Sequence, residues 1–118
     1  MNTARVPSSG ELALITTLMH QGSVDDKRAD PLADLRVKPM CDGGMGSLLL
    51  LPHGCSESER AFGEVIASCE FIDTDGVPVS VTLNLDQQGQ LFELDVWKAD
   101  FSPLHAWPDP LAIRLASR

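Results

Sequence analysis

Positive charge is what this chain most conspicuously has little of. Nine lysines and arginines stand against 17 aspartates and glutamates, a formal −8 at pH 7. Binding to nucleic acid through phosphates requires a basic footprint, and docking on anionic lipid requires a basic patch. The balance argues against both and leaves room for a basic partner, most naturally a protein. Long apolar runs are also missing. None exceeds that of Leu48–Leu51, far short of the roughly 20 residues that span a bilayer. The N-terminal stretch carries one arginine and no apolar core of the kind a secretory signal needs. Cysteines are few and scattered. Cys41, Cys55 and Cys69 form an odd set with no Cys-x-x-Cys pair, which disfavours a disulfide framework and a structural zinc site. Free thiols in a reducing compartment follow, and the expected location is cytoplasmic. A chain of 118 residues is large enough for one core, so a single domain over 1–118 is expected. No cofactor and no metal are expected, and the oligomeric state is left open.

What is present begins with a helix signal. Residues 1–7 read as a frayed end. Ser8 and Glu11 then form a Ser-x-x-Glu capping box ahead of an apolar stripe, Leu12, Ile15 and Met19, flanked by Leu14 and Leu18. Gly22 is the stop, giving a helix over 10–21. Residues 23–34 are polar, charged and aperiodic, a loop. The alternation over 35–40 suggests a strand, and Pro39 restricts it to an edge or an end. Asp42–Gly46 is a turn, 47–51 a short buried strand, and 53–60 another polar loop. Beyond residue 104 the chain is turn-rich, a C-terminal tail over 105–118, with Leu111–Leu115 open between helix and strand.

The strongest pattern lies between Gly63 and Leu104. Three alternating segments carry apolar positions at Val65, Ala67, Cys69 and Phe71, at Val77 to Leu85, and at Phe92, Leu94 and Val96. Cross-strand partners must share a face, so parity constrains each turn. Odd facing odd requires an odd-length loop, which Thr74-Asp75-Gly76 supplies with glycine where φ > 0 is usual. Odd facing even requires an even-length loop, which Gln88-Gly89 supplies. The resulting register pairs Phe71 with Val79, Cys69 with Val81, Ala67 with Leu83, Leu85 with Phe92, Leu83 with Leu94 and Val81 with Val96. The agreement of turns with patterns supports it. The expected fold is α+β, an N-terminal helix on an antiparallel sheet of about five strands, with the helix and the first hairpin covering the apolar face.

The opposite face follows from the same register. One row is Glu70, Ser80 and Trp97, the next Ser68, Thr82 and Asp95, the third Ile66, Asn84 and Glu93. This segment carries eight carboxylates, Glu64, Glu70, Asp73, Asp75, Asp86, Glu93, Asp95 and Asp100, against one base, Lys98. An exposed tryptophan among carboxylates has the composition of an interface anchor with steering charges. The alternative for Trp97 is burial under the C-terminal segment.

The block Glu93-Leu94-Asp95-Val96-Trp97-Lys98-Ala99-Asp100-Phe101-Ser102-Pro103-Leu104 resembles a signature of small uncharacterised bacterial domains, catalogued as domains of unknown function. Asp42-Gly43-Gly44-Met45-Gly46-Ser47 and Asp73-Thr74-Asp75-Gly76-Val77 resemble that group's two upstream blocks. The resemblance spans roughly 35–104 and brings no activity with it. Short domains with acidic strands are similar to immunity proteins that neutralise toxins, an analogy only.

Candidate chemistries are few. Asp73-x-Asp75-Gly76 resembles the nucleophile loop of haloacid-dehalogenase-type phosphatases, but that doubly wound fold needs further βα units, and a β-turn explains the residues. Aligned on Gly76 as an EF-hand, it puts Phe71 and Thr82 where carboxylates are needed. The Asp42–Ser47 glycines lack the Lys-Ser/Thr ending of a phosphate loop. Glu93 and Asp95 on an open sheet do not form a glycosidase cleft. His53-x-Cys55, with Cys41 and Cys69, could supply metal ligands but lacks a closely spaced pair, and Cys55 with a distant histidine could be a nucleophile pair, against which a loop thiol is the plainer reading. The leading expectation is therefore a non-enzymatic binding module, in its most specific form of the immunity type, with Glu70, Glu93, Asp95 and Trp97 meeting a basic protein. Two alternatives stand beside it. One is a small hydrolase or thiol enzyme using Cys55 or the Asp73/Asp75 loop. The other is a scaffold whose contacts lie in the 23–34 or 53–60 loops.

Overall fold

The structure, a computed structural model, describes residues 4–22, 32, 34–52, 55, 57 and 59–115. Helix α1, Ser9–Gln21, starts as its sequence requires. The Ser8 hydroxyl accepts from the Glu11 amide at 3.2 Å, and the Glu11 carboxylate accepts from the Ser8 amide at 2.8 Å. Each bond satisfies a donor that a helix start leaves orphaned. Leu14, Ile15, Leu18 and Met19 are buried along one face.

The strands are β1 (Arg36–Pro39), β2 (Leu48–Leu51), β3 (Phe62–Ile72), β4 (Pro78–Asp86), β5 (Leu91–Lys98) and β6 (Arg114–Leu115). They form one antiparallel sheet in the order β1-β2-β5-β4-β3-β6. The sheet has six strands where about five were expected. The first hairpin does not lie over the apolar face; it extends the sheet through Leu48–Leu94 and Leu49–Glu93 pairs. Pairing satisfies the backbone groups of β5 that an open edge would leave bare. Pro39 sits in the outermost strand, where its missing N–H costs nothing.

The central meander follows the predicted register over most of its length. Phe71–Val79, Cys69–Val81, Ala67–Leu83, Leu83–Leu94 and Val81–Val96 all pair. Gly76 has φ 83° in the three-residue turn. Two irregularities shift the rest. A bulge between Val65 and Ala67 turns Ile66 inward, 7% exposed, and leaves Val65 outward, 48% exposed. Asn84 therefore pairs with Val65, and the expected row Ile66, Asn84, Glu93 becomes Val65, Asn84, Glu93. A second shift pairs Leu85 with Leu91 instead of Phe92. Its cause lies at the turn, where the Asp86 carboxylate accepts from the Gln88 and Gln90 amides, its amide donates to the Gln90 carbonyl and its carbonyl accepts from the Gly89 amide. Near the start of β3, a Cβ on Gly63 would stand 2.3 Å from the Asp86 carbonyl oxygen, so only glycine permits the close approach.

The described residues toward both ends are tied to the fold. The Arg5 backbone exchanges two 2.8 Å hydrogen bonds with Val37, and its guanidinium makes two 2.8 Å bonds to the buried Glu11 carboxylate. Residues 4–7 are thus anchored, not frayed; 1–3 lie outside the described residues. So does nearly all of the predicted 23–34 loop, and His53 with it. Both options left open for Leu111–Leu115 occur in sequence: a single 3-10 turn, Pro110–Ala112, then β6 against Cys69 and Glu70. Trp107 and Ile113 pack on the core beside α1. One face of the sheet is therefore covered by α1 and the C-terminal segment, and Ser80, Trp97 and Asp95 on the other are exposed.

Candidate functional site

The acidic block divides by what its carboxylates do. Along β5, Leu94 and Val96 point into the core, and the same parity sends Lys98 inward. Its side chain is fully buried. The ammonium donates to Asp73 Oδ2 at 2.8 Å, Asp75 Oδ2 at 2.6 Å and the Pro103 carbonyl at 3.0 Å. A lysine has three N–H donors, and all three are used. Asp73 also accepts from the Thr74, His105 and Ala106 amides at 2.7, 2.8 and 3.3 Å. Burial pushes its carboxyl up, but these donors and the Lys98 ammonium outweigh that and hold it well below the usual carboxylate range. Lys98 moves the other way: burial favours the neutral amine, and the two carboxylates override it and raise the pKa.

This clamp ties the Asp73–Gly76 turn, the end of β5 and the 103–106 segment into one unit. It also shows what the aspartates are for. Asp73 is fully buried with both oxygens bonded, which leaves no lone pair presented to a substrate. Asp75, Asp73 and His105 bring ligand atoms within 4.8 Å of one another. The Lys98 ammonium already bonds both carboxylates there, so a metal ion would have to displace a buried, fully bonded cation. Asp86 is also structural. Burial raises its pKa, and the Gln90 amide, Arg60 and the Gln88 amide lower it further than burial raises it. Arg60 bonds Asp86 Oδ2 at 3.0 Å and the Leu50 and Leu91 carbonyls, with its guanidinium 5.0 Å above Phe92. Asp100 accepts from the Ser102 amide and hydroxyl. Half of the eight carboxylates therefore hold the fold. Lys98 was legible from β5 parity; Arg60 left no comparable signal, because its partners are carbonyls and a carboxylate distant in sequence.

The remaining four are Glu64, Glu70, Glu93 and Asp95. The structure places Glu70, Ser80 and Trp97 in one row and Ser68, Thr82 and Asp95 in the next, as the register predicted. Glu70 and Asp95 are exposed, and Glu93 is half-buried. Burial and the neighbouring Asp95 charge raise the Glu93 pKa. Trp97 is 55% exposed and does not lie under the C-terminal segment; that segment packs on the opposite, helix-covered face, where its own Trp107 stands beside Gly10 and Gly46. Ser80, Thr82, Asp95, Val96 and Trp97 line a groove of about 260 Å³.

Phe101 completes this surface. Its ring meets Trp97 edge to face, centroids 4.8 Å apart and planes at 79°. Its backbone is left-handed, φ 65°, a costly conformation for a bulky side chain. The Phe101 amide bonds the Lys98 carbonyl, and the Asp100–Ser102 bonds brace the turn. Yet Phe101 is 60% exposed, so core burial does not offset the strain.

The cysteines do not assemble. Cys69 is in the core, where burial first and Glu70 second push its thiol up to about 11. Cys41 is exposed and Cys55 half-buried, all three free. His53 of the His53-x-Cys55 pattern lies outside the described residues. Among the described residues, no helix is long and apolar enough to cross a membrane.

The architecture is that of an open-faced α+β unit, one helix on a six-stranded antiparallel sheet. The chain belongs to the family described as a domain of unknown function, DUF6984, whose model matches residues 4–108. That span takes in Arg5, the capped helix, the clamp and Trp107, well beyond the blocks at 42–47, 73–77 and 93–104. No curated protein and no solved structure matches the chain.

Proposed function

We propose that the protein is a non-enzymatic binding module whose open sheet face meets a basic protein partner. The observation that carries this reading is Trp97, a large aromatic held in the open beside Asp95 and the Ser80–Thr82 groove. Exposed aromatics in a polar setting supply much of the affinity of protein interfaces. Glu70, Glu93 and Asp95 supply a negative field that speeds encounter with a positive surface. The strained Phe101 beside Trp97 supports it further, since backbone strain that no core burial repays is characteristic of functional sites. Its most specific form is an immunity-type role, in which the partner is a basic toxin neutralised by this face.

The test is affinity capture with wild type and with a Glu70/Glu93/Asp95→Lys variant shown to fold. Basic proteins retained by wild type and lost by the variant are the expected result. Identical partner sets from the two baits would sink the proposal. For the immunity form, the readout is protection of cells against a co-expressed toxin encoded beside this gene, abolished in the same variant.

A further inference from the structure

The groove on the open face is short of hydrogen-bond donors and rich in acceptors. Asp95 has one partner there, the Asn84 amide nitrogen at 3.4 Å from Oδ2. Asn84 is itself buried, and its Oδ1 has no donor, the one such buried side-chain atom among the described residues. Ser80 and Thr82 offer hydroxyls that either accept or donate. Arg36, at the far edge strand β1, bonds the Leu35 carbonyl at 3.0 Å, and other cations near this face are held elsewhere. Lys98 points to the opposite side of the sheet, Arg60 is held by Asp86, and Lys38 bonds Glu57 at 2.7 Å. Arg114 stands opposite Glu70 across β3 and β6, three strands from Asp95, roughly 14 Å at ordinary strand spacing. A ligand complementary to this groove brings donors and positive charge.

The geometry narrows the choice of cation. Asp95 and Trp97 are two residues apart on β5 and share a face, about 6–7 Å along the strand. A planar guanidinium can place its donor edge on the carboxylate while its face lies on the indole. An ammonium is a compact, strongly hydrated charge that gains less from the ring. Phe101, held against Trp97 by its left-handed backbone, fixes the indole plane before any ligand arrives, and preorganisation reduces the ordering cost of binding. We infer that the groove between Asp95 and Trp97 receives an arginine side chain of the basic partner, an inference that rests on the reading of this face given above.

The experiment uses short, otherwise neutral peptides carrying one arginine, one lysine or one citrulline, titrated into isotope-labelled protein and followed by amide and indole chemical shifts. The arginine peptide should shift the Trp97 indole and the Thr82 and Asp95 amides with a dissociation constant in the millimolar range. The lysine peptide should bind about two- to fivefold more weakly, and the citrulline peptide should leave these signals in place. Asp95→Asn and Trp97→Ala should each abolish the response, and Glu64→Gln, elsewhere on the sheet, should not. Equal shifts from the arginine and lysine peptides would overturn arginine selectivity and leave the acidic-face reading standing. No shift at these positions from either peptide would overturn the groove as a site. Charge-dependent capture of a partner in that second case would show that the face works without it.

Discussion

Removing the Asp73 carboxylate should damage the fold far more than a turn residue normally would. In Asp73→Ala, the amides of Thr74, His105 and Ala106 lose their acceptor, and the buried Lys98 ammonium keeps only Asp75 and one carbonyl. Breaking a buried ion pair by deleting one partner costs about 3–5 kcal/mol. A chain of this length has roughly 6–18 kcal/mol to lose, so the variant should fold but sit near the edge. Unfolding entropy of about 0.25 kcal/mol per kelvin for a chain of this size turns that loss into a fall in Tm of about 12–20 °C. The effect has a pH signature. The Asp73 carboxyl is held below its unfolded value of about 3.9, so its contribution is complete above that pH and disappears as pH falls through the folded pKa. Thermal melts of wild type and variant at pH 7 and in steps below pH 4 measure both. A Tm loss of less than about 4 °C at pH 7, or a loss that does not shrink in acid, would refute the clamp.

Glu93→Gln should do the opposite. Burial and Asp95 raise the Glu93 pKa, so the folded protein disfavours its charge. That cost is present above the folded pKa and absent below the unfolded one, and the variant should melt higher than wild type at pH 7 with no gain near pH 3. Phe101→Gly removes left-handed strain of about 1–2 kcal/mol and an aromatic contact of about 0.5–1.5 kcal/mol, so chemical denaturation should find it within about 1 kcal/mol of wild type; a core-sized loss of about 3 kcal/mol would show the ring to be structural. Gly63→Ala forces a Cβ against the Asp86 carbonyl, and a normal Tm would contradict the close approach of β3 and β4 at that residue. In a thiol-titration assay, Cys41 should react promptly and Cys69 only on unfolding, because burial pushes its thiol up to about 11.

The meander was readable because period-two alternation and turn length are independent signals that agree. The register failed where it depends on backbone detail instead. The bulge that exchanges Val65 for Ile66 leaves the alternation count unchanged, and the Asp86 turn shifts Phe92 through hydrogen bonds that no apolar pattern encodes. The capping box identified the helix, but not that Glu11 would also anchor Arg5. The acidic surface is smaller than the charge count implies, because Asp73, Asp75 and Asp86 are consumed by bonds to residues distant in sequence and Asp100 by bonds to Ser102. Parity carries the information that Lys98 faces inward, though lysine is a residue one expects in water. The exposure of Trp97 was undecidable from pattern alone, since parity assigns its face of the sheet but not which face the C-terminal segment covers.

Hydrogen exchange of the protein alone and in complex with the partner it captures tests the central claim most directly. Protection gained at Ser80–Thr82 and across Asp95–Phe101 is the predicted result. Protection confined to residues 23–34 or 53–60, with the open sheet face exchanging as in the free protein, would contradict it.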